Sequence, residues 1–97
     1  MTSAHIYILR CADGSYYTGL TRRDPAERAS EHQQGLDPHC FTYGRRPVTL
    51  VYSEFFDRVD EAVATERRIK GWTRAKKKAL IERNYEALSR LASRAKE

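Results

Sequence analysis

The chain has 97 residues, a formal net charge of +5 and two cysteines. That length excludes two separate cores, and the absence of any Cys-x-x-Cys pair excludes a disulfide framework and favours a reducing compartment. The N-terminus MTSAHIYILR lacks an apolar leader, and no apolar run approaches the ~18 residues that a membrane span requires, so a soluble cytoplasmic protein without a membrane partner is expected.

Residues His5–Cys11 alternate as a strand, with Ile6, Ile8 and Arg10 on one face and His5, Tyr7, Leu9 and Cys11 on the other. Ala12-Asp13-Gly14-Ser15 is turn chemistry, and Tyr16–Leu20 is the returning strand of a hairpin. Asp24 is an N-cap candidate, Pro25 suits the first helical position and Glu27 completes a capping box, so a helix is predicted over 25–34 with Gly35 as its stop. Its apolar face is thin, only Ala26 and Ala29. The segment 35–47 has no period and holds two glycines and two prolines, which reads as a long loop, a kind often functional or mobile.

Val48–Phe55 is rich in β-branched and aromatic residues and is predicted to complete a three-stranded sheet. Asp60 is the expected cap of a helix over 61–70, broken by Gly71-Trp72. Thr73 should cap a third helix to about Arg83, and Asn84 a final one over about 85–95. The fold class expected is α/β (α+β): one small domain over 1–97, a three-stranded mostly antiparallel sheet flanked by helices.

Several side chains could carry chemistry. Tyr7 and Tyr17 lie on the two arms of the hairpin, where both hydroxyls can converge on one site. Arg28 and His32 are four apart on one helix and so project from one face. Arg28 could fork onto phosphate oxygens, and His32 could relay a proton or orient a tyrosine. Glu66 is a hard oxygen ligand suited to Mg²⁺ or Mn²⁺. Phosphodiester hydrolysis needs this set: a base for water, cations for the pentacovalent phosphate, and stabilisation of the leaving oxygen. From Arg67 to Arg83 the basic residues Arg67, Arg68, Lys70, Arg74, Lys76, Lys77, Lys78 and Arg83 face Glu82 alone, a local charge of +7. Together with the loop residues Arg22, Arg23, Arg45 and Arg46 they could form a phosphate-tracking surface. A solvated helical hairpin with Trp72 in the core is the plainer reading of the same run. His39 and Cys40 have the wrong spacing for a structural zinc site.

Ile6-Tyr7 and Tyr17-Thr18-Gly19 resemble the two half-motifs of the GIY-YIG nuclease domain. Arg28-x-x-x-His32 and Glu66 follow in the order of that superfamily, and the chain is similar to its small stand-alone UPF0213 or YhbQ-like group. The resemblance implies a small α/β domain with a motif-bearing core at about 5–83 and DNA cleavage with one divalent metal on a helix-borne glutamate. By motif, Tyr7 and Tyr17 would be the two tyrosines, Arg28 the helix arginine, His32 the His-or-Tyr position and Glu66 the metal ligand. A site with one carboxylate is incomplete without DNA, which implies one Mg²⁺ or Mn²⁺ ion, weak or absent in the free protein. The leading expectation is thus a metal-dependent DNA endonuclease of weak sequence selectivity, acting in repair or processing. Departures from the pattern, with His5 in place of glycine and Leu20 in place of lysine, motivate the alternative of a nucleic-acid-binding module with little turnover. A third reading is a protein-interaction domain using Trp72 and the C-terminal helix.

Overall fold

The computed structural model describes residues 3–95. Strands β1 (Ala4–Arg10), β2 (Tyr16–Thr21) and β3 (Thr49–Phe56) form one sheet in the order β2-β1-β3, and both pairings are antiparallel. The helices are α1 (Pro25–Gln34), α2 (Val59–Lys70), α3 (Arg74–Ile81) and α4 (Tyr85–Ala95). The expected α+β architecture is therefore present.

Because β1 is the central strand, both of its faces are covered. Ile6 and Ile8 join Ala4, Tyr52, Ala62, Ile69 and Leu80 in the core beneath α2 and α3. Tyr7 and Leu9 are equally buried on the opposite face. Full burial of each such aliphatic side chain contributes about 1.5–3 kcal/mol. A bulge between Ile8 and Leu9 leaves Val51 unpaired on β3, so Val51 and Tyr52 both reach the core despite being neighbours. Trp72 and Leu88, both partly buried, also pack against this core.

The helix ends show where local chemistry was read correctly and where it was not. Asp24 accepts from the Ala26 amide at 2.9 Å and Thr73 from the Lys76 amide at 3.3 Å, as N-caps do. Asn84 caps α4 through the Ala87 amide. Glu27 does not complete a capping box but pairs with Arg23. Asp60 is not the cap of α2. Arg58 holds that position, and Asp60 lies in the first turn, where it takes the Glu61 amide and the Arg58 guanidinium. An acidic side chain there is favoured by the helix dipole. Helix α3 stops at Ile81 rather than Arg83, because Arg83 turns left-handed at φ 55° and the Asn84 amide closes back on the Ala79 carbonyl.

The 35–47 segment is mostly loop, with a short 3₁₀ turn at Tyr43–Arg45. It is tied down at several points. Ala12 donates to the Arg45 carbonyl, Arg45 reaches Asp13 and the Phe41 carbonyl, and Val48 donates to Gln33. These bonds press the loop against the β1–β2 hairpin and the end of α1.

Candidate active site

The hairpin register puts Tyr7 opposite Gly19. A Cβ on Gly19 would lie 2.4 Å from both Cζ and Oη of Tyr7, so only a residue without a side chain lets the phenol lie across its neighbour. Tyr17, two positions earlier on the same strand face, brings its ring to 6.3 Å from that of Tyr7. Helix α1 supplies the third ring. Its thin apolar face is completed by His32, which is only 4 % exposed and whose ring lies 5.9 Å from Tyr7 and 5.1 Å from Tyr17. Gly35, left-handed at φ 70°, ends α1 one turn beyond His32, and the guanidinium of Arg46 occupies the space a side chain there would need.

The polar atoms of this cluster are linked in series. Tyr7 Oη is 3.0 Å from His32 Nε2, and His32 Nδ1 is 2.7 Å from Thr42 Oγ1. Thr42 donates in turn to Cys40 Sγ at 3.4 Å, and that sulfur lies 3.6 Å from His32 Nδ1. Burial, with Tyr17 nearby, pushes the Tyr7 phenol well above its ordinary range, while Arg28 draws it back. Tyr17 is raised by burial and then by Cys40, against Lys70 and Arg28. The His32 imidazole is lowered by burial and then by Arg28, so it is neutral at pH 7. Arg28 itself is half-buried and paired with Glu31 at 3.0 Å.

Beyond Tyr17 the site opens. Phe41 stacks on Tyr17 at 6.0 Å, and the Arg45 guanidinium lies 3.8 Å over the Phe41 ring. Tyr16, Tyr17, Thr18, Phe41, Lys70 and Lys77 line an open cavity of about 330 Å³. Lys70 bridges this cavity to Glu66, whose carboxylate it meets at 2.9 Å and whose side chain is only 14 % exposed. Glu66 is thus a sheltered anionic oxygen donor beside a cation. Among the described residues there is no cluster of three or more His, Cys, Asp or Glu. That donor set fits a hard divalent ion whose remaining ligands are water and a substrate phosphate, and it does not fit zinc.

The GIY-YIG catalytic domain family matches residues 3–79 of this chain. The chain belongs to the GIY-YIG family. Within it, the chain falls in the UPF0213 group. It is 49 % identical over 77 residues to a UPF0213 protein of Halobacterium salinarum, covering 79 % of this chain and 97 % of that one. Identity to UPF0213 proteins of Staphylococcus aureus is 43 % over 82 residues, covering 84 % and 98 %. The solution NMR structure of a Bacillus halodurans UPF0213 protein superposes with a TM-score of 0.54 at 38 % identity, over 82 % of this chain and 83 % of that one. An E. faecalis protein structure gives 0.58 at 31 % identity over 88 % of both.

The basic residues of this GIY-YIG chain divide into two sets. Arg23 is bound to Glu27 and Glu31, Arg46 to the Tyr43 and Gln33 carbonyls, and Arg74 to the Gly14 carbonyl while it covers the Tyr16 ring. Lys76 lies over Trp72. These cations brace the scaffold. Arg67, Arg68 and Lys78 are exposed on α2 and α3, and Lys77 lines the cavity. Arg22 is exposed in the turn between β2 and α1. No helix among the described residues is long and apolar enough to cross a membrane.

Sequence reading missed Thr42, Cys40 and Phe41 as members of the cluster. They sit in an aperiodic loop, where nothing but three-dimensional closure brings them to His32 and Tyr17. The steric demand on Gly19 was visible only as a motif letter.

Proposed function

We propose that this protein is a divalent-metal-dependent DNA endonuclease that hydrolyses phosphodiester bonds, with a role in DNA repair or processing. The observation that carries the reading is the hydrogen-bonded convergence of Tyr7 and His32, with Tyr17 and Arg28 beside them.

A buried phenol is a poor base alone, because ionising it in this setting is costly. Coupled to a neutral imidazole it can act without forming a free phenoxide. As the attacking water's proton moves to Tyr7 Oη, the phenol's own proton moves to His32 Nε2, and the hydroxide so generated forms the new P–O bond. The opposite P–O bond to the sugar oxygen breaks, and that oxygen takes a proton from solvent as it leaves. The net acceptor is an imidazole with a pKa below its usual value, a base that is unprotonated at neutral pH. Arg28 neutralises charge on the pentacovalent phosphate, and Tyr17 orients water or phosphate oxygen. Glu66 would hold one Mg²⁺ or Mn²⁺, which supplies charge neutralisation at the phosphate when bound. Lys70 and Lys77, with exposed Arg67, Arg68, Lys78 and Arg22, would track the flanking phosphates without reading bases.

Glu66→Ala should abolish Mg²⁺- or Mn²⁺-dependent cleavage of plasmid DNA while leaving salt-sensitive binding in place. Equal cleavage by this variant and the wild type would overturn the metal assignment. A complete lack of metal-dependent cleavage by the wild type, with binding intact, would favour the binding-module alternative.

A further inference from the structure

We infer that Thr42 is a positioning residue that fixes the tautomer of His32, so that Nε2 is free to accept the Tyr7 proton. The inference rests on the nuclease reading for its catalytic meaning and on geometry alone for the tautomer.

A neutral imidazole carries one N–H, and its partners decide which nitrogen bears it. Thr42 Oγ1 is 2.7 Å from Nδ1 and spends its own hydrogen on Cys40 Sγ at 3.4 Å. With its single O–H committed, the threonine oxygen can only accept from His32. The proton therefore sits on Nδ1, and Nε2 presents its lone pair to Tyr7 Oη at 3.0 Å. The tyrosine hydroxyl, which has one hydrogen, donates it there. The hydrogens of Tyr7 Oη, His32 Nδ1 and Thr42 Oγ1 then each have one acceptor, with the direction set from the sulfur end. In the opposite tautomer, Nε2–H would point at the phenol oxygen, and His32 could not take the proton that the reaction must dispose of.

The packing agrees with a built arrangement. Thr42 is 1 % exposed and His32 4 %, so the fold encloses both groups. Thr42 is held in place by the loop's anchors, since the Arg45 amide donates to its carbonyl at 3.0 Å and Arg45 in turn grips Asp13 and the Phe41 carbonyl. The loop that lacks any periodic signal thus has a definite task, which is to deliver one hydroxyl to the back of one imidazole. The parallel in hydrolases is the carboxylate that orients a catalytic histidine from behind, here replaced by an alcohol whose polarity is set by a thiol.

The test is imidazole ¹⁵N NMR on wild type, Thr42→Val and Thr42→Ser at neutral pH, with DNA cleavage and binding measured on the same samples. Valine keeps the branched shape and removes only the oxygen. The wild type should show a pyrrole-type Nδ1 and a pyridine-type Nε2 at His32. Thr42→Val should shift the population towards Nε2–H and slow cleavage by at least about tenfold with DNA affinity unchanged, and Thr42→Ser should restore both. A wild type with its proton on Nε2, or a Thr42→Val spectrum equal to wild type, would overturn the inference. If Thr42→Val does not fold, the wild-type and Thr42→Ser spectra still decide the tautomer. A correct tautomer shift in a chain that shows no cleavage would leave Thr42's role standing and remove the nuclease reading.

Discussion

At the scale of the residue, the site depends on a few atoms that have no tolerance. Gly19 is one. Replacing it with alanine drives a Cβ into the Tyr7 ring, and neither partner can retreat, because Tyr7 is buried at the centre of the sheet. Gly19→Ala should lose about 1–3 kcal/mol in urea unfolding and most of the cleavage activity; an alanine variant with unchanged stability would mean the ring can move aside. His32 is another. It is buried and neutral, held below its ordinary pKa of 6.5 by burial and by Arg28. The unfolded chain therefore takes up a proton that the folded chain refuses, and stability falls as pH drops below about 6.5 until the folded imidazole itself protonates. Asp13, Glu31 and Asp60 are held below their ordinary values of 3.8, 4.5 and 3.8 by Ser15, Arg23 and Arg58 respectively, so their losses come at lower pH. Urea midpoints at pH 7.5 and 5.5 should differ for the wild type and converge in His32→Gln. Equal differences in both proteins would contradict a neutral buried His32.

At the scale of the element, α1 shows what binary patterning can and cannot reveal. Asp24, Pro25 and Gly35 marked its ends in the sequence because capping is local chemistry, and the helix runs between them as expected. Asp24→Ala should cost about 1 kcal/mol by chemical denaturation, and no loss would mean the Ala26 amide finds another acceptor. The buried face was not legible. It is closed by a histidine, and a histidine counts as polar until its partners are known. The same limit applies to β1. Alternation sorts its residues onto two faces without saying which is buried, and Ile6, Tyr7, Ile8 and Leu9 are all enclosed because the third strand makes β1 central. Asp60 was misread because an acid two residues from a helix start satisfies first-turn electrostatics as well as a cap. Thr42, Cys40 and Phe41 lie in a loop whose course is set by long-range bonds to Asp13, Ala12 and Gln33, and no local pattern encodes such bonds.

At the scale of the whole molecule, the two faces of the sheet do different work. One is the apolar core under α2 and α3, and the other carries the Tyr7–His32–Thr42 series under α1 and the loop. The net charge of +5 is partly spent internally, since Arg23, Arg46 and Arg74 serve intramolecular bonds. DNA affinity should therefore follow Arg67, Arg68 and Lys78 on α2 and α3, with Lys77 at the cavity. Arg67→Ala combined with Arg68→Ala should flatten the slope of log affinity against log salt by up to about 2. An unchanged slope would move the DNA path away from α2.

The central claim is that Tyr7 passes a proton to His32 during phosphodiester hydrolysis. It is tested most directly by comparing Tyr7→Phe with the wild type on supercoiled plasmid with Mn²⁺, alongside DNA affinity at the same ionic strength. The account predicts that the variant folds, binds DNA as the wild type does, and nicks plasmid at least about a hundredfold more slowly, the scale of a lost general base. A Tyr7→Phe protein that cleaves at the wild-type rate would contradict it.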